Sequence, residues 1–76
     1  SPTSNMVQLE FDALKLQNIT LKVVDMQGRE LHQELIKSNA GLNTVQVNLS
    51  DYANGVYFIQ LNTDDNNLFY GKVLKQ

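Results

Sequence analysis

The chain has 76 residues, a net charge of -2, one histidine and no cysteine. That length supplies a single domain, residues 1–76, able to bury only about 60% of its unfolded surface, and the missing cysteines exclude a disulfide framework and a thiolate metal site. Its six basic residues, Lys15, Lys22, Arg29, Lys37, Lys72 and Lys75, are spread thinly, which argues against a nucleic-acid partner. No apolar run nears the roughly 18 residues of a membrane helix. The opening SPTSN lacks an initiator methionine, and we read the chain as an excised or processed piece of a longer protein.

Period-two alternation recurs along the chain, and each instance puts one apolar row on one face of a strand. Val7, Leu9 and Phe11 alternate with Gln8, Glu10 and Asp12. Ile19, Leu21 and Val23 alternate with Thr20 and Lys22. DMQG follows, with Asp first and Gly fourth, which suits a type I turn leading into a left-handed residue. The next stretch, RELHQELIK, reads two ways. Its residues are good helix formers with Leu31 and Leu35 four apart, yet the turn before it would send a strand back along Ile19 to Asp25. A helix of about ten residues is marginal in water, so tertiary context decides.

Beyond SNAGLN, Val45, Val47 and Leu49 alternate with Gln46 and Asn48, and beyond ANG, Tyr57, Ile59 and Leu61 alternate with Phe58 and Gln60. TDDNN is a further turn, since Asn and Asp bond back to their own backbone. NLFYGKVLK is rich in aromatic and branched residues but alternates poorly, and Gly71 hints at a bulge or a close backbone approach. About six short strands at this spacing predict an antiparallel sandwich or barrel rather than βαβ units. Val7, Leu9, Phe11, Leu21, Val23, Val45, Val47, Tyr57, Ile59 and Leu61 are its predicted core.

Material for enzyme chemistry is thin. The lone His32 would have to serve a nucleophilic triad from a hairpin arm, so we expect an ordinary strand residue and no enzyme. Asp64, Asp65, Asn66 and Asn67 lack the alternate-position ligands and closing Glu of a calcium loop and read as a solvated turn, with no metal and no cofactor. Glu10 and Asp12 share a strand face, but nothing supplies an acid with a raised pKa or a cleft for a glycosidase pair. Tyr52, Phe58, Phe69 and Tyr70 could stack on a sugar or dock a partner if exposed together, and otherwise pack against neighbours.

The pieces in order carry a resemblance. PTS, then VVDMQGRE, then NLSDYANGVYFIQL, then KVLKQ resemble the type A C-terminal sorting domain of the type IX (Por) secretion system. The matching positions are Pro2, Thr3, Ser4, Asp25, Gly28, Arg29, Leu49, Ser50, Ala53, Gly55, Val56, Tyr57, Leu61, Lys72 and Lys75. The family's residues before PTS are missing, Ser1 stands where Asn is expected, and the last residue, Gln76, is not basic.

The resemblance implies an all-β, immunoglobulin-like antiparallel β-sandwich of about six to seven short strands, with RELHQELIK as a return strand. Tyr57 would then form a tyrosine corner, bonding a backbone group a few residues upstream. It also implies a secretion address. A covalently linked upstream cargo would pass through the periplasm of a Gram-negative bacterium, be exported by the outer-membrane secretion machinery, and be secreted or held at the cell surface once a sortase removes the domain. The tail, Gly71, Lys72, Val73, Leu74, Lys75 and Gln76, would be the part read, with Asp25, Gly28, Arg29, Gly55 and Tyr57 keeping the shape. Different classes of function are a carbohydrate-binding or adhesion module, marked by a row of coplanar exposed aromatics, and an inert spacer. A short sandwich leaves open edges, so we also expect a homodimer through an edge or exchanged strand.

Overall fold

The computed structural model of the protein describes residues 6–66 and 68–76. The PTS motif, Pro2, Thr3 and Ser4, with Ser1 before it, and Asn67 of the acidic turn lie outside the described residues. Six strands follow in chain order: β1 Met6–Ala13, β2 Gln17–Asp25, β3 Glu30–Ser38, β4 Gly41–Asn48, β5 Gly55–Thr63 and β6 Leu68–Lys75. They form two antiparallel sheets, β1–β4 and β3–β2–β5–β6, packed as a small sandwich.

The alternating rows meet between the sheets. Ile19, Leu21, Val23, Leu49 and Ile59 are at most 1% exposed, and Phe11, Val47, Tyr57 and Leu61 close around them. Val7, Leu9 and Val45, predicted as core, are only half-buried. All three lie in β1 and β4, and in a two-stranded sheet both strands are edges, so their inward side chains are open to solvent along one flank. Ile19 and Leu49, absent from the predicted core, belong to it because they continue the rows of β2 and β4.

RELHQELIK is strand, paired along β2 from Gln17↔Ser38 to Val24↔Glu30. The pairing shifts between Val23 and Val24, where His32 faces Val23 and Glu30 faces Val24, so that Leu31 is the extra residue of a bulge. An extra residue turns the following side chains to the opposite face. Leu31 and Ile36, five apart, therefore both pack against the core while Leu35 is 70% exposed.

The bulge hinted at by Gly71 is not there. β6 pairs with β5 without a shift from Leu68 to Lys75. The close approach is present instead: a side chain begun at Gly71 would meet Leu9 Cδ2 of the facing sheet at 3.5 Å.

The DMQG turn is closed by Gly28 N donating to Asp25 O at 3.0 Å, with Gly28 at φ +86°. Gly55, at the start of β5, has φ +154°. A β-carbon at either position would have nothing within 4 Å, so a substitution acts through backbone strain and not through a clash. Gly28→Val and Gly55→Val are each expected to lower stability by about 1–3 kcal/mol, read as a fall in the melting temperature of the purified domain. Unchanged melting of both variants would contradict the assigned backbone.

Candidate functional site

Residues far apart in sequence converge at one end of the sandwich. The β2–β3 turn places Asp25, Gly28 and Arg29 there, and the β4–β5 loop with the first residues of β5 places Ala53, Gly55 and Tyr57 beside them, because Asp25 pairs with Tyr57 in the β2–β5 ladder. The end of β6 reaches the same place through the Gly55↔Lys75 pair.

The Asp25 carboxylate organises the turn. Its Oδ1 accepts from Gln27 N and Arg29 N, both at 2.9 Å, and its Oδ2 accepts from Arg29 Nε at 2.8 Å. Burial works against its ionised form, but the Arg29 amide, the Arg29 side chain, the Gln27 amide and the guanidinium charge together outweigh it and hold its pKa below the ordinary carboxylate value. A depressed folded pKa means that the unfolded chain binds more protons in acid. The stabilisation is therefore complete above the ordinary value of about 4 and is lost as pH falls through the lower folded value. Asp25→Asn is expected to flatten the fall in melting temperature below about pH 4. An acid limb as steep as that of the parent would show that Asp25 is not its source.

Tyr57 sits 6% exposed with its hydroxyl donating to Ala53 O, four residues upstream. Its ring lies 5.7 Å from that of Tyr52. Lys75 is also buried, 8% exposed, and its Nζ donates to the carbonyls of Ser50 and Tyr52 in the β4–β5 loop. Lys75 thus ties the end of β6 to the loop that carries Tyr57's acceptor. A signal for this existed in the sequence: Lys75 has the parity of Phe69, Gly71 and Val73, the inward row of β6.

The tail is divided by that parity. Gly71, Val73 and Lys75 point toward the facing sheet, opposite Ile59, Tyr57 and Gly55, whereas Lys72 and Leu74 lie on the outer face opposite Phe58 and Val56. Gln76, just past the strand, is exposed. Both outer side chains are exposed, Leu74 by 60%.

The other candidates are not brought together. His32 Nε2 lies 2.8 Å from Glu34 Oε1 at the open flank between β3 and β4. Glu10 and Asp12 lie on the outer face of the two-stranded sheet, opposite Thr44 and Leu42. Asp64 accepts from Asn18 N and Asp65 pairs with Lys15, both at 3.4 Å. The four aromatics divide between faces: Tyr52 packs against the core, Phe69 turns inward with its ring 6.4 Å from Phe11, and Phe58 and Tyr70 lie on the outer face of β5–β6.

The family model described as the secretion system C-terminal sorting domain matches residues 1–76, the whole chain. Neither the curated proteins nor the solved structures yield a match.

Proposed function

Because the chain belongs to the family of type IX secretion system C-terminal sorting domains, we propose that it is the folded address by which an outer-membrane translocon recognises and exports the cargo joined ahead of it. The cargo crosses the periplasm, passes through the translocon, and reaches the cell surface or the medium after a sortase removes the domain. The observation that carries this reading is the family match over all 76 residues. In this reading Gly71 to Gln76 is the recognised segment, and Asp25, Gly28, Arg29, Gly55 and Tyr57 hold the end of the sandwich in shape.

The domain is read as a recognition module and not as an enzyme. The reading as an immunoglobulin-like sandwich of type A goes with the same family membership. A carbohydrate-binding role draws no support from the aromatics, since a sugar-stacking platform needs them on one face and here they occupy two. β6 is an edge strand of its sheet, and its unpaired backbone is the feature through which we expect two copies to pair.

The test is a reporter protein with an export leader fused to residues 1–76, in a bacterium that carries the type IX machinery. Delivery of the reporter to the surface or medium, with the domain removed, is the expected result. A reporter retained inside the cell would overturn the assignment.

A further inference from the structure

The outer face of the β5–β6 hairpin has a composition that the fold does not use. The two-stranded sheet packs on the opposite face of β3–β2–β5–β6 and covers the inward rows, so among the described residues no strand lies over the outward ones. On that face the register aligns Val24, Phe58 and Lys72 in one row across three strands, with Val56 and Leu74 in the row to one side and Lys22, Gln60 and Tyr70 in the row to the other. Tyr70 and Leu74 are 67% and 60% exposed, and Val24, Val56 and Phe58 are half-buried. An apolar strip on an open sheet face is a place for a partner.

The cation within the strip says which kind. Lys15, Lys22 and Arg29 make ion pairs with Asp65, Glu30 and Asp25, and Lys75 is turned inward onto loop carbonyls. Among the described residues Lys37 and Lys72 enter no ion pair. Lys37 stands opposite Asn18 with Leu35 as its one apolar neighbour along β3, whereas Lys72 stands opposite Phe58 and between Tyr70 and Leu74. A lone ammonium bordered by Phe58, Tyr70, Leu74 and Val56, with Gln60 its one polar neighbour on β5, is complementary to a carboxylate set in an apolar surface, since docking removes both charges from water only when each meets the other.

We propose that the outer face of β5–β6, centred on Lys72, is the surface by which the secretion machinery holds this domain, and that its partner is a protein surface presenting a carboxylate among apolar side chains. This rests on the sorting reading and narrows it: of the two lysines in the tail, Lys72 is read and Lys75 is structural.

The reporter fused to residues 1–76 tests it through four variants, with melting and sedimentation measured on the purified domains. Lys72→Glu and Leu74→Asp should each lower surface-delivered reporter on the order of tenfold or more, because a like charge or a buried lone one opposes docking, with melting near that of the parent. Lys72→Arg should deliver normally. Lys37→Glu, the same charge change on the opposite edge strand, should also deliver normally. Normal delivery of Lys72→Glu, or an equal loss with Lys37→Glu, would overturn the assignment of this face while leaving the sorting role intact. Failure of the unsubstituted fusion to deliver would remove the sorting role itself. A parent domain that sediments as a dimer and becomes monomeric with Lys72→Glu would put a second copy on this face and refute the acidic partner.

Discussion

Deleting Lys72 to Gln76 is expected to abolish surface delivery of a fused reporter while leaving the reporter folded. The deletion removes half of β6, and with it three contributions at once. Lys72 and Leu74 leave the outer face, Val73 leaves the partly buried apolar layer, and Lys75 no longer holds the Ser50 and Tyr52 carbonyls. The backbone of Gly55 to Phe58 then loses its partner strand, which creates a new open edge beside Tyr57. Fractionation of cells into surface, periplasmic and cytoplasmic pools reads the outcome. Normal surface delivery by the truncated fusion would reject the tail as signal.

The tail shows what a linear reading can and cannot supply. Its charge and position in the chain are visible in KVLKQ, and parity separates Lys75 from Lys72, but what Lys75 does on the inward row is not visible, because its partners are main-chain carbonyls of a loop more than twenty residues upstream. The meeting of Asp25, Arg29, Gly55 and Tyr57 is similar. Each is conspicuous in its own turn, and only the antiparallel pairing of β2 with β5 makes them neighbours. The Asp25 turn itself was legible, since an Asp before a Gly at this spacing encodes its own hydrogen bonds.

For the fold, legibility followed coverage. β1, β2, β4 and β5 alternate cleanly because one face of each meets the facing sheet. β6 alternates poorly because its outer face carries Tyr70, Lys72 and Leu74, mostly apolar, while its inner face carries Gly71 and Lys75, which are not. β3 was ambiguous for two physical reasons. As an edge strand that the two-stranded sheet barely covers, it leaves His32 and Glu34 exposed even though they lie opposite the buried Val23 and Leu21. Its bulge then spoils the period-two pattern, so that Leu31 and Leu35 mimic a helical stripe although only Leu31 packs inward.

That distinction can be measured. Leu21 is fully buried in β2, and Leu21→Ala should cost about 2–5 kcal/mol through lost transfer energy and the cavity left behind. A 76-residue chain without disulfides has only a few kcal/mol in hand, so the variant is expected to be largely unfolded at 25 °C, with collapsed amide dispersion in a proton–nitrogen correlation spectrum. Leu35→Ala, on the uncovered face of β3, should stay within about 0.5 kcal/mol of the parent. A helix over RELHQELIK would instead pack Leu31 and Leu35 on one face, and both substitutions would then cost comparable amounts. Strong destabilisation by Leu35→Ala would therefore reject the bulged strand, and an intact spectrum for Leu21→Ala would reject the placement of the core between the two sheets.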